Sequence, residues 1–163
     1  MAHKGQPEYV RIAISRPDGG VSIMQFITFV RRHADDPGQV RDATPENIEA
    51  EIKKSGTPCT RWHIIDDADI PADRAFRAAW TDAGGKIDHD MEKARAIHMG
   101  RIRTARNAKL DETDKLVARL DGAPVPEELK ALRQKLRDIP QTLDLAKAAT
   151  VEDLKAAWPD ELK

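Results

Sequence analysis

The chain has 163 residues, and its 27 lysines and arginines almost balance its 28 aspartates and glutamates. This length suits one ordinary domain or two small ones, and the charge balance argues against a general nucleic-acid or membrane-surface binder, which needs a positive excess. Charged residues make up 34% of the chain and aromatic residues 4%, which is typical of long solvated helices with a modest core rather than of a deep enzymatic fold.

Cysteine content and hydropathy bear on disulfide bonds, membrane spans and secretion. A single cysteine, Cys59, excludes an internal disulfide framework and fits a reducing compartment. The sequence contains no run of 18 apolar residues, so no membrane span is predicted. The start, "MAHKGQPEYV", lacks the apolar stretch of a secretion signal and is expected to form a short frayed arm.

Residues 1–67 are predicted to form a small β-β-α-β head. "EYVRIAIS" alternates in part and predicts a strand, "RPDGG" predicts a turn, and the apolar segment Val21–Val30 predicts a return strand, which together make a hairpin. Because this second strand is almost entirely apolar, we expect one of its faces to meet a helix and the other to meet a partner. "RRHADDPGQVRD" is interpreted as a polar connection.

The rest of the head is predicted to be one helix and one strand. "ATPENIEAEIKKSG" has Thr44 as N-cap, Pro45 at the first helical position and Gly56 at the end, which are the usual signals of helix boundaries. "TRWHIID" then predicts a short strand that contains Trp62 and Ile64.

From residue 68 to residue 163 the pattern predicts a helical tail. Asp69 or Pro71 is expected to begin a short helix ending at Trp80, and the glycine pair at 84–85 is expected to turn the chain into a long helix. We predict that the short helix is a fixed wedge, packed on the head's sheet or on the base of the long helical hairpin, rather than a flexible linker.

The long helix is expected to run from Asp90 to about Leu120, where "DGAPVP" breaks it. "PEELKALRQKLRDIP" then predicts a second helix, and the two should fold back on each other as an antiparallel hairpin or coiled-coil pair. "ATVEDLKAAWP", with Thr150 as N-cap, predicts a short last helix. The predicted fold class is therefore α+β.

Few residues indicate a catalytic, metal-binding or cofactor-binding site. A metal site, and with it a metal-dependent enzyme, is one less favoured hypothesis, resting on His63, Asp66, Asp67 and His89. No paired histidines on a helix, cysteine cluster or calcium loop accompanies them, so the simpler interpretation is a strand histidine and a "DHD" helix cap. Cys59 lies outside any signature of an activated thiol, and the glycine pairs lack the spacing of phosphate-binding loops. We therefore predict no catalytic residue, no metal and no cofactor.

A basic stretch, "RIRTARNAK", raises the alternative of a nucleic-acid-linked role. Four cations could contact phosphates from one helical face: Arg101, Arg103, Arg106 and Lys109. Acidic residues flank the stretch and no aromatic residues interleave with it, so a solvated helix face is the favoured interpretation.

One long segment, "DADIPADRAFRAAWTDAGGKIDHDMEKARAIHMGRIRTAR", resembles a segment common in tail-gene proteins of tailed bacteriophages and prophages. Its pattern is an acidic "D-x-P-x-D-R-x-F-R-x-A-W", a glycine-containing loop, a "D-M-x-K-A-R-x-I" helix start and a basic "R-x-R-x-A-R" helix. The matching positions are Asp69, Pro71, Asp73, Arg74, Phe76, Arg77, Ala79, Trp80, Asp90, Met91, Lys93, Ala94, Arg95, Ile97, Arg101, Arg103 and Arg106.

The later "LRQKLRDIP…TVEDLKAAWP" is similar to the usual end of such proteins, so the resemblance covers roughly residues 69–159. The family is usually labelled phage tail assembly chaperone or tail-fibre-associated protein. This chain departs from it at "DGAPVP", a shorter hairpin tip than the family's charged one.

The resemblance implies no enzymatic residue and a role in tail or tail-fibre assembly, in the virion or in the host cytoplasm. Binding to other tail or fibre proteins and to further copies of the chain is expected, by strand addition at Val21–Val30 or by helix packing. The predicted partner-binding residues are Phe76, Trp80, Met91, Ile97, Ile102 and Leu116.

Overall fold

A computed structural model describes residues 9–30 and 38–163, apart from the side chain of Val30. The predicted α+β class is confirmed. The chain divides into two compact units, a head of residues 1–89 and a helical unit of residues 90–163, so the division lies well beyond the predicted position at residue 67. The predicted frayed arm and most of the predicted polar connection lie outside the described residues.

The head contains a three-stranded antiparallel sheet of β1 (Tyr9–Ser15), β2 (Val21–Ile27) and β5 (Arg61–Ile65), in the order β2-β1-β5. The predicted hairpin and the predicted third strand are therefore confirmed. The predicted second strand ends earlier than expected. After Thr28, strand β3 (Phe29–Val30) pairs with β4 (Gln39–Val40) as a separate two-stranded sheet.

Helix α1 (Pro45–Ser55) has the boundaries that the sequence predicts. The Thr44 hydroxyl accepts a hydrogen bond from the Asn47 amide, and Gly56 ends the helix with a left-handed φ of 69°. This helix covers one face of the sheet, since Ile48 and Ile52 share an apolar cluster with the strand residues Ile12, Ile14 and Phe26.

The predicted short helix before Trp80 is absent, and this expectation was wrong. Two 3-10 turns, Asp67–Asp69 and Arg77–Ala79, lead instead into a hairpin of β6 (Trp80–Asp82) and β7 (Ile87–His89). About three helical turns are too few for an isolated helix to be stable. The Asp73 carboxylate also accepts a hydrogen bond from the Ala75 amide, a local turn that competes with helix formation.

The glycine pair lies in the turn of this hairpin rather than in a turn into the long helix, which corrects a second expectation. Gly84 and Gly85 have φ values of 85° and 116°, and the Ala83 amide donates to the Lys86 carbonyl across the turn. Positive φ at both central residues is what one kind of two-residue hairpin turn, type I′, requires, and its twist matches that of the flanking strands.

The β6–β7 hairpin covers the second face of the head's sheet. Trp80 and Ile87 share an apolar cluster with Ala13, Val21 and Ile65. Both faces of β1 are therefore occupied, and its central residues 12–14 are all fully buried. This explains why the sequence of the central strand is almost continuously apolar rather than strictly alternating.

The helical unit consists of α2 (Met91–Ala118), α3 (Glu127–Thr142), α4 (Val151–Ala156) and a C-terminal 3-10 turn, Asp160–Leu162. Among the helices in the described part of the chain, none is long and apolar enough to cross a membrane.

Side-chain caps begin two of these helices. The Asp90 carboxylate accepts from the amides of Glu92 and Lys93, and Thr150 forms a capping box with Asp153. The predicted caps at Thr44, at the "DHD" sequence and at Thr150 are therefore confirmed.

Helices α2 and α3 form the predicted antiparallel hairpin. Near its tip, the Arg133 guanidinium lies 2.6 Å from both the Thr113 hydroxyl and the Asp114 carboxylate. Nearer its base, Ile102 and Ile139 belong to one apolar cluster. Residue numbers thus rise along one helix as they fall along the other. The same cluster includes Leu162, so the C-terminal segment closes the base of the hairpin.

Candidate functional site

A buried carboxylate, Asp82, is the centre of a polar cluster in the head. Its side chain is only 4% exposed. It accepts hydrogen bonds from the Ser15 hydroxyl (2.7 Å), from Arg61 (2.8 Å) and from the Gly84 amide (2.9 Å), and His63 Nδ1 lies 3.6 Å away. Burial alone would raise the pKa of Asp82, but these hydrogen bonds and the nearby His63 lower it to about 2.

The cluster ties the β6–β7 hairpin to the sheet. Ser15 and Arg61 are register partners on β1 and β5, and Asp82 at the end of β6 binds both. A serine nucleophile needs its hydroxyl hydrogen-bonded to a base such as histidine. Here Ser15 donates to Asp82, and His63 approaches the same carboxylate. Ser15 is therefore paired with Asp82 rather than with a histidine base, and the contacts of the cluster anchor the β6–β7 hairpin to the sheet.

The histidines of the metal hypothesis have other neighbours. His63 faces Asp82, and His89 Nε2 accepts a hydrogen bond of 3.2 Å from Trp80 Nε1. Asp67 forms an ion pair of 2.8 Å with Arg11, and Asp66 is exposed. Within residues 9–30 and 38–163, no group of three or more His, Cys, Asp or Glu residues could hold a metal ion.

The predicted partner-binding residues differ widely in exposure. Phe76 and Trp80 are 1% exposed and Ile102 is fully buried, so these three belong to the core of the folded chain. Met91 and Ile97 are half-buried. Leu116 is the member of the set that presents a large apolar surface, with 47% of it exposed. Exposed Ile27 lies in the predicted partner-binding strand Val21–Val30, whereas sequence reasoning missed three other exposed apolar side chains, Val40, Ile64 and Leu132.

The four predicted basic residues do not form one face. At 3.6 residues per turn, Arg101, Arg103, Arg106 and Lys109 are spread around more than half of the circumference of α2. Lys109 lies 3.6 Å from Glu112, and Arg106 is half-buried. The arrangement is that of cations flanking a packed helix, and no observation favours nucleic-acid binding over this interpretation.

A buried histidine lies in the helical unit. His98 is 3% exposed, and its ring meets the Trp158 ring edge-on at a centroid distance of 5.6 Å. Burial lowers the pKa of His98, a hydrogen bond with the Ala157 backbone raises it, and the Arg101 charge lowers it further. The net shift is downward, so the folded state favours the neutral imidazole.

We expect acidification to destabilise the helical unit through His98. Because its pKa in the folded protein is below the unfolded value of about 6.5, unfolded chains take up the proton first, and stability falls as the pH drops through that value. Melting temperatures measured from pH 8 to pH 5 should fall more steeply for the wild type than for His98→Gln. Parallel profiles for the two proteins would contradict this assignment.

The two leucines that remain exposed on the hairpin, Leu116 and Leu132, are here called the leucine surface. Leu116 and Val117 follow the buried Thr113 by three and four residues, so they flank its contact line on opposite sides. Leu132 and Arg133 flank Leu136 in the same way.

Val117 and Arg133 both line one open groove of about 610 Å³. Leu116 and Leu132 therefore lie together on the opposite side of the hairpin.

A search of protein-family models, of curated proteins and of solved structures found no match to this chain.

Proposed function

We propose that this chain acts in the assembly of bacteriophage tails or tail fibres, as an assembly chaperone or as a retained virion component. Its activity would be protein binding, in the host cytoplasm during assembly or in the particle. The resemblance to phage tail-gene proteins over residues 69–159 supports this role, and it includes the β6–β7 hairpin and most of the helical unit.

The observation that carries a binding role is the leucine surface. Leu116 is 47% exposed and Leu132 is 39% exposed on a helical hairpin whose other outward residues are mostly charged. Exposed leucines grouped on one side of an element are characteristic of surfaces that bind another protein. The strand β2 offers a second route, since Ile27 is 48% exposed and, among the described strands, β2 lies at an edge of the sheet where an added strand could pair.

The proposal is tested by deleting the gene in a phage or prophage that encodes it. We expect particles with absent or defective tails in electron micrographs, and restoration of tails by the wild-type chain. Leu132→Lys should restore them poorly, whereas Ala131→Lys, an exposed position one residue earlier on the same helix, should restore them fully.

Mass spectrometry of purified particles distinguishes a retained component from a transient chaperone. Normal tails in the deletion strain, together with no binding of the purified chain to any tail protein, would contradict the proposed function.

A further inference from the structure

The leucine surface has a repeated charge pattern. On α3, Leu132 is preceded four residues earlier by Glu128 and followed three residues later by Lys135. Helical spacing places both charges on the outer rim of the leucine surface. Within the described part of the chain, neither Glu128 nor Lys135 makes an ion pair.

The same pattern occurs on α2. Glu112 precedes Leu116 by four residues, and Arg119, the C-cap residue, follows it by three. Glu112 makes one exposed contact, 3.6 Å to Lys109, with side chains that are 64% and 41% exposed. Such a contact contributes little and leaves the carboxylate available. Each helix thus presents an acid, a leucine and a base in the same order and at the same spacing.

The two patterns lie at the same level of the hairpin. Arg133 contacts Asp114, which places the centre of the α3 triplet opposite the centre of the α2 triplet. An acid-leucine-base order is complementary to its own reverse, because a helix rotated by 180° presents base, leucine and acid. One two-fold axis near Leu132 and Leu116 would therefore bring both acids of one copy opposite both bases of the other.

The C-terminal segment leaves room for such a partner. Trp158 and Leu162 belong to one apolar cluster with Ile139 and Ala105, nearer the base of the hairpin. Ala105 precedes Leu116 by 11 residues, about three helical turns, so this cluster reaches the side of α2 that carries the leucine surface. Two hairpins that cross antiparallel at the level of Leu132 would overlap near their tips, with the C-terminal segments at the outer ends. The leucine surface thus continues an apolar face that is already closed at the base.

We propose that the leucine surface binds a second copy of this chain, with the hairpins antiparallel about a two-fold axis. Leu132 meets Leu132 of the other copy, Leu116 meets Leu116, and Glu128 of each copy faces Lys135 of the other. The proposal deepens the proposed protein-binding function by naming the partner of that surface. The area involved is small, so association in the micromolar range or weaker is expected.

The test is the solution mass of the chain of residues 1–163, measured by sedimentation from about 1 µM to about 1 mM. We expect a shift from monomer to dimer in this range. Glu128→Lys and Lys135→Glu should each weaken the dimer by about tenfold, because each places two like-charged pairs across the axis. The double variant Glu128→Lys/Lys135→Glu should restore dimerisation, and Ala131→Lys should leave it unchanged.

A chain that stays monomeric throughout this range would overturn the proposal. So would single charge reversals without effect, or a double variant weaker than either single one, because these would show that the two residues do not face each other. A monomer that is still needed for tail assembly would remove the dimer and leave the proposed function standing. If the chain dimerises but does not restore tails in the deletion strain, the dimer stands and the proposed function is contradicted.

Discussion

Replacing Trp80 by alanine should cost about 3–5 kcal/mol of folding free energy and should unfold the head first. The tryptophan is 1% exposed and fills the space between the β6–β7 hairpin and the sheet, where it packs with Ala13, Val21 and Ile87. Its indole N–H also donates to His89, so the substitution removes a half-buried hydrogen bond and leaves a cavity. We expect the loss to appear in denaturant unfolding followed by circular dichroism.

Where Trp80→Ala destabilises the protein is as informative as how much stability it removes. Amide exchange at Ile12, Ala13 and Ile14, in the centre of the sheet, should accelerate strongly in Trp80→Ala. Trp80→Phe keeps most of the apolar contact and loses the N–H, so it should cost only about 1–2 kcal/mol. A loss below about 1 kcal/mol for Trp80→Ala would show that the hairpin does not depend on this contact.

Replacing Asp82 by asparagine should lower the stability at neutral pH by about 2–3 kcal/mol. The carboxylate is almost fully buried and its pKa is lowered to about 2, so its ionised form is bound more tightly in the folded state than in the unfolded chain. Asparagine retains the shape, but it removes the charge that Arg61 and His63 face. Urea unfolding at pH 7 measures the difference.

The pH dependence provides an independent check on Asp82. Because the folded pKa lies below the unfolded value of about 3.9, its contribution is complete above that value and is lost as the pH falls toward 2. The wild type should therefore lose stability more steeply than Asp82→Asn between about pH 4 and pH 2. As a control, Asp67→Asn breaks an exposed pair with Arg11 and should cost no more than about 1 kcal/mol. Equal losses for the two variants would contradict the role of burial.

Local signals predicted the elements that carry their own start and stop residues. Thr44 and Gly56 bound α1, Asp90 and Thr150 begin two later helices, and the turn around Gly19 gives the first hairpin. In each case a side chain or a positive φ acts within a few residues, so the neighbouring sequence is sufficient to predict where the element begins or ends. The antiparallel helical hairpin was predictable for a similar reason, because two helices joined by a short breaker usually pack antiparallel.

The segment before Trp80 was mispredicted because its apolar spacing fits a short helix as well as the turns that lead into the β6–β7 hairpin. What decides between them is tertiary contact, since a hairpin lets Trp80 and Ile87 cover an otherwise exposed face of the sheet. This packing also places the segment in the head and moves the division between the units to residue 89.

The binding surface was predictable only in part, because exposure depends on which side of a helix finds a neighbour. Ile102 and Leu116 lie on one periodic stripe, yet the first is buried by α3 and the C-terminal segment while the second is uncovered. The Asp82 cluster gave no sequence signal at all. Ser15, Arg61 and Asp82 are far apart in the chain, and strand register brings them together.

The hairpin turn at Gly84 and Gly85 predicts an unequal pattern of substitution during evolution. A side chain at either position would have open space around it, so the restriction comes from the backbone alone. Gly84, with φ of 85°, is close to the left-handed region that asparagine and aspartate tolerate, whereas Gly85, with φ of 116°, lies in a region that is almost exclusive to glycine. Natural variants should therefore drift to asparagine or aspartate at the first position and retain glycine at the second.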